Sequence, residues 1–362
     1  MPEVLLVTTA NRFALDSKPG MSLLEIFRQN NIPIQGTLTL DENKAFVSLT
    51  HVLRPDDRLT AYAMRNVDFR CVQPTYTVVP TDNPVAEIVR PLKSPFHLGI
   101  VQFTRPSAMN YIYDSVSSAL SRYAETREDR LPIQVALSPG GDGRVLVECI
   151  RRYWDENPDE QFHAIIVAVG FEDEQEHLSA GIALAEKYRI PYDALNTREA
   201  ADILGYESDL ESLSKSYRST FPEDEAEIML TYWVQNVNFE LARRGGRRGI
   251  LFGYNQEDVI AERLYQVMTG RLLPPLPIRR LDEHDVIAPL AQIPKKLLDA
   301  MDIDNSLRNY NIRSASVSYT RSSLYLLSYI VAEQFPSIAD VMSGGFITPN
   351  APNEILDWLK GK

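Results

Sequence analysis

The chain has 362 residues, a formal net charge of −12 at pH 7 and 44% hydrophobic residues. Length and composition predict a soluble globular protein of two or three domains, the acidic balance disfavours broad wrapping of nucleic acid, and no apolar run approaches the roughly 18 residues that span a bilayer. The two cysteines, Cys71 and Cys149, cannot form a disulfide framework or a four-cysteine metal site, and we expect a cytoplasmic location.

Residues 1–65 predict a small mixed domain. VLLVTT is a strand candidate, and Ser22 with Glu25 is the pattern of a capping box that opens a helix to about Asn30. GTLTLD, KAFVSLT and RLTAYAM are three further strand candidates. This order of elements resembles the ubiquitin-like β-grasp fold of the small sulfur carriers. Those carriers end in Gly-Gly, whereas this chain continues as Arg65-Asn66, so the resemblance implies a domain that docks a protein partner or has a structural role.

Two further segments flank the central part of the chain. Proline-rich residues 66–97 predict a linker, because proline disfavours helices and central strands, although TYTVV within it is compatible with an edge strand. Residues 301–362 predict a helical segment with a loose tail. An apolar stripe in this segment, which we expect to lie in the core, consists of Leu324, Leu327, Ile330 and Val331.

Residues 98–300 alternate strand and helix patterns. FHAIIVAVG at 162–170 and GILFG at 249–253 are typical of buried strands, and helix patterns cover about 107–125, 142–155 and 256–269. Short apolar strands separated by helices predict an α/β fold with a doubly wound parallel sheet. Ligands of such sheets bind outside the carboxyl ends of the strands, so the segments that follow the strands are expected to converge.

A glycine-rich turn is the most informative of these segments. The apolar run from Ile133 to Leu137 ends at Ser138-Pro139-Gly140-Gly141-Asp142-Gly143, and a helix pattern follows. This arrangement can hold phosphate, since the turn and the helix N-terminus direct backbone N–H groups at an anion, and an ordinary tight turn is the alternative. The chain has neither GxxxxGK[ST] nor GxGxxG after its first strand, which excludes the Walker A and dinucleotide-binding motifs.

The turn resembles the SGGxDS signature of the PP-loop family, the N-type ATP pyrophosphatases. Ser138, Gly140 and Asp142 agree with it, while Pro139 and Gly143 replace its first glycine and last serine. Gly253-Tyr254-Asn255-Gln256-Glu257-Asp258 is similar to the GHNxDD element of the PP-loop enzymes that modify tRNA, and Val286-Ile287-Ala288-Pro289-Leu290 to their RPL segment. The resemblance covers roughly 98–340 and is strongest to the tRNA 2-thiolation enzymes and tRNA lysidine synthetase.

The resemblance implies an adenine nucleotide alpha hydrolase-like fold that binds ATP and Mg²⁺. It assigns catalysis to Asp142 and Asp258, and the Mg²⁺ that accompanies the nucleotide to Asp258, although an acid such as Asp142 is also common in the first turn of a helix. The ATP-binding residues that it implies are Ser138, Gly140, Gly141, Asp142, Gly143, Val169, Gly253 and Asn255.

A basic patch and the cysteines bear on the partner and the reaction. The patch, which is either a contact for RNA or phosphate or a solvated helix end, consists of Arg243, Arg244, Arg247 and Arg248. The sulfur-transferring relatives carry cysteine pairs and clusters that this chain lacks, so we expect no iron–sulfur cluster or zinc, and we expect Cys149 to be a buried apolar residue.

Three functions follow from these observations. The first is an enzyme that adenylates an acceptor oxygen with ATP and releases pyrophosphate; the resemblance favours tRNA modification-type chemistry without the usual cysteines. The second is a catalytically degenerate ATP-binding scaffold that docks a partner through residues 1–65. The third is an amide-forming ligase that acts on a small molecule. The sequence leaves the acceptor and the oligomeric state open.

Overall fold

The computed structural model divides the chain into two compact units, Met1–Pro74 and Thr75–Lys362. None of the helices in the described part of the chain is long and apolar enough to cross a membrane. The described residues are 2–7, 12–32, 37–63, 77–92, 98–127, 130–169, 174–221, 223–270, 273–274, 276–306 and 319–334.

The first unit contains a four-stranded sheet in the order β2–β1–β4–β3. Its strands are β1 (Glu3–Val7), β2 (Arg12–Ala14), β3 (Thr37–Asp41) and β4 (Arg58–Ala63). β1 and β4 pair in parallel, and the other pairs are antiparallel. Helix α1 (Leu23–Gln29) buries its apolar residues in one cluster with those of the sheet. That this unit is a β-grasp domain stays a prediction.

The capping box predicted at the start of α1 is confirmed. Ser22 Oγ accepts a hydrogen bond from the backbone N–H of Glu25 at 3.3 Å, and Glu25 Oε2 accepts one from the backbone N–H of Ser22 at 2.7 Å. These reciprocal bonds satisfy two of the N–H groups that the first turn of a helix leaves without partners.

The predicted strand KAFVSLT is wrong, because this segment forms only an isolated bridge from Phe46 to Leu40. Its end turns towards α1 instead. The carbonyl oxygens of Leu49 and of His51, which follows the segment, accept hydrogen bonds from the backbone N–H groups of Leu24 and Leu23, both at 3.0 Å. The helix start thus takes the carbonyl groups that a strand ladder would have used.

The second unit begins with a three-stranded sheet in the order β5–β7–β6. Its strands are β5 (Thr77–Val79), β6 (Ala86–Pro91) and β7 (Leu98–Phe103). The predicted linker 66–97 therefore contains two strands, and β7 lies outside the parallel sheet predicted for 98–300. The prolines permit this because β5 and β6 are edge strands, and Pro91 is the last residue of β6.

A six-stranded sheet in the order β10–β9–β8–β11–β13–β12 forms the centre of the second unit. All neighbouring strands pair in parallel except β12 and β13, so the predicted doubly wound parallel sheet is confirmed with one antiparallel edge strand. The strands are β8 (Ile133–Ala136), β9 (Phe162–Val167), β10 (Tyr192–Leu195), β11 (Gly249–Phe252), β12 (Ile278–Leu281) and β13 (His284–Ile287).

Helices cover both faces of this sheet, as the alternation of side chains along β9 shows. Ala164 and Ile166 pack in one apolar cluster with α2 and α3, whereas Ile165 and Val167 pack in another with α5 and α7. The helices of the second unit include α2 (Arg105–Thr126), α3 (Gly141–Glu156), α4 (Glu174–Lys187), α5 (Thr197–Leu204), α6 (Leu210–Thr220), α7 (Glu223–Arg244), α8 (Gln256–Thr269), α9 (Lys295–Met301) and α10 (Tyr319–Gln334).

The predicted core stripe of the C-terminal segment is only partly correct. Helix α10 buries Leu324, whose exposed fraction is 7%, but Leu327 and Ile330 are 44% and 46% exposed. The helix instead buries Ser328, one turn after Leu324, and the Ser328 hydroxyl is satisfied there by donating to the carbonyl of Tyr325 at 2.7 Å. The apolar pattern therefore predicted the helix but not the face that packs.

The strand order creates a switch point between β8 and β11. From β8 the chain continues through β9 to β10 on one side, and from β11 it continues to β13 on the other, although β8 and β11 are neighbours in the sheet. The helices that follow β8 and β11 lie on opposite faces of the sheet, and their starts border a crevice at the carboxyl ends, which is where open α/β sheets bind ligands.

Packing against β11 generates a stability prediction. A Cβ at Gly249 would lie 2.5 Å from the hydroxyl oxygen of Tyr123, and that ring is 1% exposed and has no room to move. We expect Gly249→Ala to lower the free energy of unfolding by about 1–3 kcal/mol through overpacking, as measured by chemical denaturation. Gly253→Ala is the matched control, since its Cβ would lie 3.5 Å from Leu146, an ordinary contact. Equal stability of the two variants would contradict this packing.

Candidate functional site

The glycine-rich turn lies at the switch point, between the carboxyl end of β8 and α3. Gly140 is the N-cap of α3, and no side chain among the described residues caps this helix. The first-turn N–H groups are therefore available to an anion, together with the positive end of the helix dipole. Ser138 is exposed, and its hydroxyl oxygen accepts a hydrogen bond from the backbone N–H of Gly140 at 3.3 Å.

Gly143, which stands where the PP-loop signature has serine, is required by the path of the turn. A Cβ at this position would lie 1.9 Å from the carbonyl oxygen of Ser138, a backbone atom that cannot move alone. A serine hydroxyl is therefore excluded from this turn as long as its backbone keeps this path.

Asp142 joins the turn to two other segments. Its Oδ1 accepts a hydrogen bond from Lys295 Nζ at 2.6 Å, and its Oδ2 accepts one from Asn255 Nδ2 at 3.1 Å. The predicted convergence of the segments after β8 and β11 is thereby confirmed. Lys295 also lies 2.8 Å from Asp299 Oδ1. Burial alone would lower the pKa of Lys295, but the carboxylates of Asp142 and Asp299 together outweigh it and raise that pKa, so the ammonium group stays charged.

A second capping box holds Asp258 at the start of α8. Asn255 Oδ1 accepts from the backbone N–H of Asp258, and Asp258 Oδ2 accepts from that of Asn255, both at 3.1 Å. The other oxygen, Asp258 Oδ1, accepts from the hydroxyl of Tyr325 on α10 at 2.6 Å. Burial raises the pKa of Asp258, and the Tyr325 hydrogen bond opposes that rise. The position and ionisation of Asp258 thus depend on α10.

Glu257 is the most deeply buried acid of the group, with an exposed fraction of 5%. Its Oε2 accepts a hydrogen bond from the backbone N–H of Lys295 at 2.8 Å. Burial raises its pKa to about 7, with further contributions from the charges of Asp258 and Asp142. This carboxyl group therefore changes charge near neutral pH.

The donor set fits a magnesium ion that arrives with a nucleotide. Asp142 and Asp258 supply carboxylates next to the uncapped helix start and Lys295, and Mg²⁺ in nucleotide sites typically takes one or two carboxylates together with phosphate oxygens. Within the described ranges, no group of three or more His, Cys, Asp and Glu residues is arranged to hold a metal by itself. The absence of an iron–sulfur cluster or zinc stays a prediction.

Other predicted site residues lie at the same edge of the sheet. Val169 follows β9 and packs, half buried, against the apolar cluster that contains Val167, and Gly253 follows β11. Tyr254, which replaces the histidine of GHNxDD, stacks on Phe252 with ring centroids 5.2 Å apart and accepts a hydrogen bond from Gln235 Nε2 at 2.7 Å. Tyr254 is therefore a packing residue.

The basic patch lies at the opposite edge of the sheet. Arg243 and Arg244 end α7 and both bind Glu240, at 2.7 Å each. Arg247 donates to Gln134 in the first half of β8 at 3.3 Å, and Arg248 immediately precedes β11. The patch therefore lies by the amino ends of β8 and β11, whereas the glycine-rich turn lies by their carboxyl ends.

Sequence reasoning missed Lys295, Asp299 and Tyr325. Because every segment that follows a parallel strand begins at this edge of the sheet, the position of Lys295 after β13 could have indicated that it lies near the site. Lys295 belongs to none of the motifs that the sequence resembles, so motifs alone do not identify it. Cys149 is buried, as predicted, and burial raises its pKa to about 12, which makes it a poor nucleophile. Cys71 lies outside the described residues.

Comparison with known proteins gives structural matches alone, because no family model and no curated protein matches the chain. The chain is similar to the U34-tRNA thiolase NcsA from Methanococcus maripaludis, solved with its [4Fe-4S] cluster, with a TM-score of 0.51 and 17% identity over 67% of this chain and 79% of that one. The chain also matches NAD+ synthetase from Burkholderia pseudomallei, with a TM-score of 0.37 and 15% identity over 74% of this chain and 90% of that one. The chain therefore has an α/β fold similar to that of the U34-tRNA thiolase.

The buried Glu257 carboxyl generates a pH prediction. Because its pKa in the folded protein, about 7, exceeds the ordinary value of 4.5, the folded state keeps a proton that the unfolded state loses as the pH rises between these values. Its contribution to stability therefore falls over that range, by about 3 kcal/mol at most.

We expect Glu257→Gln to be more stable than the unchanged protein at about pH 8 and to lose that advantage towards about pH 5, in denaturant titrations at both pH values. Glu125→Gln, on the exposed side of α2, is the control and should show no such trend. The prediction fails if the two variants have the same pH dependence.

Proposed function

We propose that this chain is an ATP-dependent adenylating enzyme that forms AMP and pyrophosphate. The observation that carries the proposal is the hydrogen bond from Asn255 to Asp142, which joins the uncapped start of α3 to the start of α8 across the switch point. A phosphate-binding turn and two acids on one crevice are the parts that nucleotide activation needs.

In this proposal the N-terminus of α3 and the turn from Ser138 to Gly143 hold the phosphates, and Lys295 adds a positive charge. Asp142 and Asp258 would hold the magnesium ion, which neutralises charge on the leaving pyrophosphate. Gly253 and Asn255 border the nucleotide, and Val169 lies by the adenine.

The proposed reaction is a transfer of AMP. An acceptor oxygen forms a bond to the α-phosphorus, and the bond from that phosphorus to the oxygen bridging to the β-phosphorus breaks, so that pyrophosphate leaves with the electron pair. An amine or sulfur nucleophile then displaces AMP from the acceptor. Fixing both reactants in one crevice supplies most of the catalysis expected of such a site.

The acceptor is either an RNA base or a small carboxylate or amide. The name of the similar thiolase and the sequence resemblance support tRNA, with the basic patch as its contact and residues 1–65, proposed as a β-grasp domain, as the site for a protein partner. The location of the patch at the edge opposite the glycine-rich turn does not support that acceptor. A cytoplasmic location is part of the same proposal.

One observation favours a second candidate, an ATP-binding scaffold without turnover. The close approach of Gly143 to the Ser138 carbonyl leaves the turn without the second hydroxyl side chain of the PP-loop signature. A scaffold would bind Mg·ATP at the same turn but form no AMP.

We predict that the protein forms AMP and pyrophosphate from Mg·ATP in the presence of an acceptor from a panel that includes bulk tRNA and small carboxylates. Asp142→Asn should lower this turnover by at least about a hundredfold, because the amide loses the charge that pairs with Lys295 and attracts Mg²⁺. Product formation is measured by chromatography of labelled ATP.

Asp159→Asn, on an exposed turn after α3, is the matched control and should retain full turnover. ATP binding without AMP formation for any acceptor would favour the scaffold. Turnover with tRNA that is lost when Arg243, Arg244, Arg247 and Arg248 are neutralised would establish RNA as the acceptor.

A further inference from the structure

A cavity of about 410 Å³ opens next to the candidate site. Its walls come from the start of β6, from α9 with the residue Ile303 beyond it, and from Tyr329 of α10. Lys295 and Asp299 line it and also belong to the cluster around Asp142, so the cavity and the proposed ATP site share a wall.

Some polar groups of the cavity already have hydrogen-bond or ion-pair partners, and others have none among the described residues. Lys295 is bound to Asp142 and Asp299, and Asp299 also accepts a hydrogen bond from Ser306 Oγ at 3.0 Å. By contrast, neither Lys296 nor the hydroxyl of Tyr329 has a hydrogen bond or ion pair within the part of the chain that the structure describes.

These two unused groups are both donors. Lys296 is exposed, and an ammonium group has only donors to offer. Partial burial, together with the charges of three nearby carboxylates that include Asp299 of the cavity wall, raises the pKa of Tyr329, so its hydroxyl stays protonated and can also donate. Two donors, one of them charged, match a carboxylate, which only accepts.

The rest of the wall is apolar. Val85 and Ala86 form one side, and Ala300 and Ile303 form another, with Val85 and Ile303 47% and 48% exposed. Exposed apolar side chains that face a cavity gain free energy when a ligand removes them from water. The wall therefore suits the hydrocarbon part of a small molecule.

We propose that this cavity binds a small organic carboxylate with an apolar body, and that this carboxylate is the acceptor for AMP. The role of this carboxylate as the acceptor for AMP rests on the proposed function. One carboxylate oxygen forms the bond to the α-phosphorus of ATP while the bond to the bridging oxygen breaks and pyrophosphate leaves with the electron pair; no proton is transferred. The cavity volume lies in the usual range for small-molecule sites, whereas RNA binding typically requires several lysine or arginine contacts to phosphate.

Binding is tested first, without ATP, on the full chain. Fluorine NMR titration with 4-fluorobenzoate, and its displacement by hexanoate, should show saturable binding, and the neutral 4-fluorobenzamide should bind about tenfold more weakly. We expect Lys296→Gln to weaken 4-fluorobenzoate binding about tenfold and Tyr329→Phe about threefold, because each removes one donor. Ala300→Phe, which fills the cavity, should abolish binding.

Lys18→Gln in the first unit is the matched control for loss of a lysine charge and should bind as the unchanged protein does. Circular dichroism verifies that each variant is folded. The cavity proposal is overturned if neither carboxylate binds, if the amide binds equally well, or if Lys296→Gln and Ala300→Phe both bind normally.

The acceptor role is tested next by AMP formation with Mg·ATP and the same carboxylates. Stimulation that Ala300→Phe abolishes supports it. AMP formation with tRNA but with no carboxylate overturns the acceptor role and leaves the proposed function intact. Carboxylate binding with no AMP from any acceptor overturns the proposed function and leaves the cavity as a binding site.

Discussion

The carboxylate of Asp142 holds together three segments that are distant in the chain. Asn255 lies 113 residues after Asp142 and Lys295 lies 153 residues after it, yet each donates to one of the two carboxylate oxygens. Each donor stands at or just after the carboxyl end of a different strand, so these two contacts fix the turn after β8 relative to the starts of α8 and α9. The alignment of the crevice therefore depends on one half-buried acid, whose side chain is 23% exposed.

Asp142 also belongs to a cluster in which carboxylates outnumber ammonium groups. Asp142 and Asp299 bind the ammonium group of Lys295. Glu257 accepts a hydrogen bond from the Lys295 backbone N–H, and Asp258 is close enough to interact electrostatically with Asp142. Burial and mutual repulsion raise the pKa values of Glu257 and Asp258, which means that the ionised cluster is less stable than its separated groups. A divalent cation relieves that repulsion, so the cluster favours a ligand that brings one. Without such a ligand, the raised pKa of about 7 leaves Glu257 partly protonated near neutral pH.

The sequence predicted what depends on near neighbours in the chain. The predicted capping box, Ser22 with Glu25, uses a separation of three residues, and the buried strands carry their own apolar pattern. The second capping box, Asn255 with Asp258, uses the same separation but was not predicted. The strand order was constrained as well, because a strand–helix alternation permits few topologies and brings the carboxyl ends to one edge.

What remained unpredicted depends on contacts between distant residues. The bond from Tyr325 to Asp258 spans 67 residues and requires α10 to pack on α8, which no local pattern encodes. The buried face of α10 was predicted only in part for a related reason: a helical stripe of Leu and Ile residues indicates an apolar face but does not specify a partner, and packing buried the predicted Leu324 together with Ser328. Within 66–97 the edge strand that TYTVV permitted is β5, whereas β6 was missed because prolines were counted without regard to whether each would fall on an edge strand.

The path of the glycine-rich turn also has an evolutionary consequence. Since a side chain at Gly143 would meet the Ser138 carbonyl, and Pro139 fixes one backbone torsion angle between them, the two departures from the PP-loop signature constrain the same short segment. Introducing serine at 143 alone would require a new backbone path that Pro139 restricts, so we expect strong epistasis between these positions. Single substitutions would therefore not easily convert this turn into one with the serine of the PP-loop signature, and further change at the site would start from the geometry it now has.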